Sequence, residues 1–126
     1  MRYFLLLLLV LSLHAEHIRW CSNYEKAHQQ SLKEKKYLLV FLMQEKDTTV
    51  MKMFQTTFIN QSYISKINQK FIAVIVRKNQ KESYPIELLY TKKYPTLFFL
   101  TQEELFAYTP LEGYTSTKTL AKHLED

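Results

Sequence analysis

Cys21 is the only thiol in the 126-residue chain, so any thiol chemistry has to begin there. A single cysteine cannot form an intramolecular disulfide, and it excludes a zinc site built from a cysteine cluster. Two states remain open for it: an inert, partly buried thiol, or a thiol that pairs with another chain in an oxidising compartment. A catalytic use of this lone thiol would need an external resolving thiol.

Other side-chain sets that carry chemistry are missing from the sequence. His17, His28 and His123 lack the spacing of metal sites, and we expect them on the surface or at helix ends. The chain has no glycine-rich phosphate loop, no paired carboxylate site and no Ser/His/Asp set. No metal and no cofactor is therefore expected.

Composition and charge describe a folded, mildly basic chain. It is 47% hydrophobic and 23% charged, with one Gly and three Pro, which excludes a disordered or collagen-like chain. The length suits one domain. Lysine and arginine number 17 against 12 acidic residues, a formal net charge of +5, but no basic run exceeds two residues. A nucleic-acid partner is not predicted, and the surplus is interpreted as a solvated face.

The first fifteen residues have the pattern of a secretory signal peptide. Arg2 gives a positive start, and the apolar stretch from Tyr3 to Leu13 is too short to cross a bilayer. We expect cleavage after Ala15, so that the mature domain, residues 16–126, is secreted or periplasmic and keeps no membrane span. The alternative is an uncleaved membrane anchor.

Apolar runs predict the strands that must position any site. Tyr37–Met43 and Phe71–Val76 are continuous apolar runs, typical of parallel strands covered on both faces. Thr96–Leu100 is a third strand, and Leu105–Tyr108 is its predicted hairpin partner. A short edge strand is predicted at Ile18–Trp20. Three phenylalanines are expected in the strand core: Phe98, Phe99 and Phe106.

The first predicted helix runs from Asn23 to about Lys35. Ser22 and Glu25 have the spacing of a capping box at its start. Apolar spacing gives this helix one buried face. The residues on that face are Tyr24, Ala27, Ser31 and Leu32.

Further helices are predicted between and after the strands. Asp47 begins the second helix and Asn60 the third, Ile86–Tyr90 is a short helical piece, and Thr115 or Ser116 caps the last. Alternating strands and helices followed by a hairpin and a helix predict an α/β fold. We expect a central mixed sheet flanked by helices, with the first strands parallel and the last antiparallel.

Several local strings, in this order, resemble the thioredoxin superfamily, and in particular its secreted thioredoxin-like domains. The opening Trp20-Cys-Ser-Asn-Tyr24-Glu-Lys-Ala27 matches that group's Trp-x-x-x-Tyr-x-x-Ala. The segment Tyr90-Thr-Lys-Lys-Tyr94-Pro95-Thr-Leu-Phe-Phe-Leu100 matches its Tyr-x-x-x-x-Pro-Thr-Leu-Phe-Phe-Leu and is the most specific part. The resemblance covers nearly all of residues 16–126, and it implies a thioredoxin-like fold.

The chain departs from the family at the dithiol. The family carries Cys-x-x-Cys-x-x-Met, and anchoring that pattern on Met53 puts the two cysteines at Asp47 and Val50. The residues here are Asp47-Thr48-Thr49-Val50, so neither position has a sulfur atom. Asp47 can cap the helix and satisfy its positive end, but it cannot exchange thiols. It is then either an ordinary cap or a polar contact put to another use.

The same resemblance aligns Tyr94–Pro95 with the superfamily's cis-proline position. In relatives, the backbone of the residue before the proline pairs with extended substrate peptide, which requires no sulfur. The resemblance therefore implies a peptide-binding segment at Tyr94, Pro95 and Thr96. The alternative is that Pro95 only shapes the entry to the strand.

Together these observations predict a redox-inactive, secreted or periplasmic thioredoxin-like protein. It would bind a protein or peptide partner in the cell envelope, in the manner of a chaperone. The alternative is a thiol-disulfide oxidoreductase that uses Cys21 with an external thiol, although Cys21 is not at the helix start where thiolates are stabilised. A third reading is an interaction module without a groove function, because a fold alone does not decide function.

Overall fold

A computed structural model describes residues 16–125 of the chain. The signal peptide predicted over residues 1–15, with its cleavage after Ala15, lies outside these described residues. Between residues 16 and 125, no helix combines the length and the apolar character needed to span a membrane.

Four helices and four strands make up this part of the chain. Their bounds are α1 Tyr24–Glu34, β1 Tyr37–Met43, α2 Thr48–Thr56, α3 Gln61–Lys70, β2 Phe71–Arg77, β3 Thr96–Leu100, β4 Phe106–Glu112 and α4 Thr117–His123. The predicted strand at Tyr37–Met43 and the one at Thr96–Leu100 are confirmed residue for residue.

The strands form one mixed sheet in the order β2-β1-β3-β4. β1 is parallel to β2, with Tyr37 opposite Phe71 and Met43 opposite Arg77. β1 is antiparallel to β3, and β3 is antiparallel to β4. The predicted fold class is therefore confirmed: a central mixed sheet is flanked by helices and followed by a hairpin and a helix.

One face of the sheet packs against α1 and the segment 84–94, because alternate strand residues point to the same side. The buried members of this layer are Tyr24, Ala27, Leu38, Val40, Leu42, Ile72, Val74, Val76, Leu89, Phe98 and Leu100.

The opposite face packs against α2, α3 and α4, which contribute buried apolar residues to a single cluster. At its centre, Phe41 is fully buried and surrounded by three aromatic rings. The ring centroids of Trp20, Phe54 and Phe58 lie 5.9, 5.7 and 5.2 Å from that of Phe41. Helix α2 packs against the sheet through this aromatic cluster.

The predicted edge strand at Ile18–Trp20 is not formed. Cys21 instead makes a single β-bridge with Val74. Its N–H donates to the Ala73 carbonyl at 2.7 Å, and its own carbonyl accepts from the Ile75 N–H at 3.0 Å. The preceding residues cannot continue the pairing, because Ile18 is buried beneath the sheet and Trp20 packs into the aromatic cluster.

Two details of α1 differ from the prediction. Asn23, not Ser22, is the N-cap, and its Oδ1 accepts from the Lys26 N–H at 3.0 Å. Leu32, expected on the buried face, is 52% exposed, because the face turned to the sheet is already set by Ala27 and Ser31.

The predicted helical piece at Ile86–Tyr90 is a single hydrogen-bonded turn, in which the Leu89 N–H donates to the Pro85 carbonyl at 3.0 Å. Only Leu89 of this segment is buried, so there is no apolar face to support a longer helix.

The hairpin partner β4 is longer than predicted, ending at Glu112 rather than Tyr108. It passes through Pro110, which is tolerated because β4 is an edge strand of the sheet. Phe106, expected in the core, is 51% exposed and stacks on Phe98 at a centroid distance of 6.3 Å. It lies at the open edge, where no helix covers it.

Candidate functional site

Asp47 lies between the C-terminal end of β1 and the first turn of α2. Lys46 adopts a left-handed backbone conformation, with φ 58°, that turns the chain into the helix. Asp47 is the N-cap, and its Oδ1 accepts from the Thr49 N–H at 2.9 Å. The predicted capping role is confirmed, and the carboxylate places a negative charge at the positive end of the helix.

The remaining motif positions divide between solvent and core. Thr48 is exposed and Thr49 half-buried, whereas Val50 is buried on the same side of α2 as Met53. Position 47 is thus accessible and position 50 is covered, the usual division between an attacking and a resolving group in a dithiol site. Neither residue carries sulfur.

An open pocket of about 400 Å³ lies at this helix start. Its wall combines apolar side chains with charged ones from two strand ends. The lining residues are Met43, Gln44, Glu45, Lys46, Asp47, Thr48, Val50, Met51 and Arg77. Met51 is 58% exposed, which leaves its side chain free to contact a ligand.

The segment Tyr94–Thr96 adjoins the pocket through the sheet. Thr96 is opposite Leu42 in the β1–β3 register, so Pro95 comes next to the strand end at which Met43 lines the pocket; Pro95 itself is not part of the pocket wall. The Tyr94–Pro95 peptide bond is cis. Lys78 reaches over the same segment, with its Nζ 5.1 Å from the centroid of the Tyr94 ring.

A threonine network fixes the backbone that leads into Pro95. The Thr96 hydroxyl donates to the Lys93 carbonyl at 2.5 Å and lies 3.0 Å from the Thr91 hydroxyl. Both threonines are buried. The Pro95 carbonyl in turn accepts from the Gly113 N–H at 2.6 Å.

The backbone of Tyr94 itself is unengaged. Within residues 16–125, neither its N–H nor its carbonyl makes a hydrogen bond to protein. Tyr94 as a whole is half-buried. Backbone groups of this kind can pair with an extended peptide.

Cys21 lies elsewhere, against the α1 side of the sheet. It bridges Val74, which is opposite Val40, three residues before Met43. The three residues correspond to about 10 Å along a strand. The structure therefore does not bring Cys21 together with Asp47, and Val50 packs into the layer on the other face.

The environment of the Cys21 thiol disfavours the thiolate form. Burial raises the pKa of this thiol above its ordinary value, and the negative charge of Glu34 raises it further. The thiol donates to Gln30 Oε1 at 3.8 Å. These surroundings are the reverse of the electropositive ones that activate a nucleophilic cysteine.

We expect folded Cys21 to be alkylated by iodoacetamide more slowly than in the urea-unfolded protein between pH 7 and 9. The reaction should reach half its maximal rate above the ordinary thiol pKa of about 8.5. Half-maximal alkylation below that pH would show an activated thiolate and favour the Cys21 oxidoreductase.

Two of the histidines form hydrogen bonds with backbone carbonyls of the fold. His28 Nε2 donates to the Gln102 carbonyl and His123 Nε2 to the Thr109 carbonyl, each at 2.7 Å. Among the residues from 16 to 125, no group of three or more His, Cys, Asp or Glu side chains could hold a metal ion.

The fold of the chain is similar to that of several solved structures. A thioredoxin from Thermus thermophilus superposes with a TM-score of 0.68 and 14% identity, over 85% of this chain and 84% of that one. The chain has a thioredoxin-like fold. A DsbH oxidoreductase is similar to it with a TM-score of 0.66 and 18% identity, over 86% of this chain and 83% of that one. No protein-family model and no curated protein matches the chain.

The C-terminal domain of Neisseria meningitidis DsbD, in its oxidised form, is also similar. Its TM-score is 0.59 at 14% identity, over 78% of this chain and 87% of that one. At such identities the likeness concerns the thioredoxin-like fold, which here carries a single cysteine.

Sequence reasoning missed several residues here, among them Met51 and Arg77 in the pocket wall and Lys78 beside it. Arg77 ends β2 directly opposite Met43, and the Lys78 N–H donates to the Met43 carbonyl at 2.8 Å. The sequence held a signal for the two basic residues, because they directly follow the apolar run Phe71–Val76 and ligands commonly bind at the C-terminal ends of parallel strands.

Proposed function

We propose that this protein is a redox-inactive thioredoxin-fold module that binds extended protein or peptide segments. One observation carries the proposal: a pocket without a thiol, at the start of α2, adjoins a Tyr94 backbone that is unbonded in residues 16–125. Peptide pairing with that backbone requires no thiol.

The pocket would add side-chain contacts to this backbone pairing. Met43, Val50 and Met51 offer an apolar surface, and methionine adapts to side chains of different shape. Arg77 and Lys46 line the pocket together with Glu45 and Asp47, so polar or charged groups of either sign can be bound beside the apolar residue. A flexible apolar pocket of this kind suits a chaperone-like role toward varied segments.

We further propose that the protein acts in the cell envelope, as a secreted or periplasmic domain without a retained membrane span. The support is the signal-peptide pattern of residues 1–15. The native protein should begin at Glu16, which intact mass spectrometry checks. A native protein that retains Met1 would contradict this placement.

The binding proposal is tested with a reduced, carboxymethylated polypeptide, which is unfolded and has no free thiol. Met51→Ser should weaken its binding about five- to tenfold, because roughly 1 kcal/mol of apolar burial is lost. Fluorescence anisotropy of the labelled polypeptide measures the change.

Ile59→Ser is the matched control, since Ile59 is 57% exposed but does not line the pocket. It should leave the affinity unchanged, as should Cys21→Ser. Equal losses of affinity in Met51→Ser and Ile59→Ser would show that the pocket does not bind the polypeptide. A loss confined to Cys21→Ser would move the binding site to the α1 side.

A further inference from the structure

A second pocket lies at the opposite end of the sheet from Asp47. It is open, has a volume of about 400 Å³ and is lined by Lys35, Lys36, Tyr37, Gln69, Lys70 and Tyr108. We call it the lysine pocket. Nothing in the proposed peptide binding uses it.

The strand register explains why these lysines meet. Tyr37 begins β1 and pairs with Phe71, which begins the parallel strand β2. The residues just before the two strands, Lys36 and Lys70, are therefore neighbours in space although 34 positions apart in sequence. Lys35 ends α1 in a left-handed conformation, with φ 57°, that turns the chain into β1 at this same end.

Two of the three ammonium groups are held in place. Lys36 Nζ donates to the Asn68 carbonyl at 2.9 Å, and Lys70 Nζ donates to the Tyr108 hydroxyl. An ammonium group has three donors, so each of these lysines keeps hydrogen-bonding capacity for a ligand. Holding the charges in advance lowers the entropy lost on binding.

Aromatic rings form the wall around Lys70. Its Nζ lies 4.8 Å from the centroid of the Tyr108 ring and 5.9 Å from that of Tyr37. The ring faces attract the ammonium and help to hold its charge beside the cleft.

The charges of the lysine pocket are poorly balanced. In residues 16–125, Glu34 is the one carboxylate within 4.0 Å of these three ammonium groups, at 3.6 Å from Lys36 Nζ. After that pair is counted, a net charge of about +2 remains. A bound anion would relieve the repulsion between the lysine ammonium groups.

We propose that the lysine pocket binds a phosphate group. Three compact ammonium charges arranged around a cleft suit a tetrahedral dianion with several acceptor oxygens. A carboxylate would be better matched by the planar fork of an arginine, and no arginine lines this pocket. The phosphate can belong to a soluble phosphomonoester or to a lipid headgroup, which share this chemistry.

The direct test titrates the wild-type protein with inorganic phosphate and follows its amide signals by NMR. The signals of residues 35–37 and 69–71 should shift and saturate, whereas sodium chloride at equal ionic strength should not reproduce the effect. A second arm measures co-sedimentation with vesicles of phosphatidylcholine and phosphatidic acid, against vesicles of phosphatidylcholine alone.

Lys35→Gln/Lys70→Gln should weaken binding in either arm about tenfold, since two charged contacts are lost. Lys81→Gln/Lys92→Gln is the matched control, with the same loss of charge on exposed residues of the 78–95 loop. It should lower affinity less than about twofold.

Phosphate binding in solution supports the proposal with a soluble ligand. Binding confined to phosphatidic acid vesicles and lost in the first variant supports it with a lipid headgroup. No shift of the pocket signals together with no variant-sensitive vesicle binding overturns it, and so do equal losses in the two variants.

Discussion

Asp47→Cys combined with Val50→Cys, in a Cys21→Ser background, should form a reversible intramolecular disulfide. Asp47 is the N-cap of α2 and Val50 is its third residue. The Cα atoms at this spacing lie about 5–6 Å apart, which a disulfide can span. The thiol introduced at position 47 would take the place of the carboxylate that now accepts from the Thr49 N–H. Its pKa should therefore fall below the free value of about 8.5, as thiols at helix starts do.

Thiol quantification before and after mild oxidation measures this disulfide, and insulin precipitation measures any reductase activity. Activity should rise from none to a measurable but weak level, because Thr48 and Thr49 were not selected for exchange. Cys21→Ser alone and Cys21→Ser with Asp47→Cys should show no intramolecular disulfide. A folded double variant that cannot be oxidised would contradict the assignment of positions 47 and 50 to the lost dithiol.

Phe41→Ala should be the most destabilising single substitution considered, lowering the free energy of unfolding by about 3–5 kcal/mol. Phe41 is fully buried and lies at the centre of the aromatic cluster with Trp20, Phe54 and Phe58. Because α2 rests on this cluster, peptide binding should weaken as well. Urea unfolding followed by far-UV circular dichroism measures the stability.

Phe106→Ala is the control, since the same atoms are removed from a side chain that is 51% exposed. Its cost should stay near 1 kcal/mol, because mainly the stacking on Phe98 is lost. Where Phe41→Ala does not fold, Phe41→Leu gives a smaller loss in the same direction. Equal costs at positions 41 and 106 would show that the aromatic cluster does not support the fold.

The parts of the fold that were predictable from sequence carry strong local signals. Tyr37–Met43 is a continuous apolar run of strand-forming length, and the structure has that strand with the same bounds. Asp47 has the side chain that an N-cap needs, immediately before an apolar-periodic segment. Local chemistry decides such features, so they do not depend on the rest of the fold.

The errors fall where tertiary packing decides. The segment Ile18–Trp20 has the apolar–polar alternation of a strand. The side chains of Ile18 and Trp20 pack into the core instead, and β-pairing is limited to the bridge at Cys21. Phe106 is as apolar as Phe98, yet no helix covers the sheet edge where it lies.

The site was predictable only in part for a related reason. The motif positions Asp47 and Val50 follow from the resemblance to the family, as does Tyr94–Pro95. Arg77 joins them through the parallel register of β1 and β2, which no single segment reveals. The same register creates the lysine pocket from Lys36 and Lys70, whereas the sequence alone predicts only a solvated face for the basic surplus.

The central claim is that an extended peptide pairs with the backbone at Tyr94 without help from a thiol. Amide hydrogen exchange of Tyr94, measured by NMR with and without the carboxymethylated polypeptide, tests it most directly. The account predicts that binding slows exchange of this amide by about tenfold or more, because its free N–H gains an acceptor. Cys21→Ser should show the same protection. Saturating polypeptide that leaves Tyr94 exchange unchanged would contradict the account.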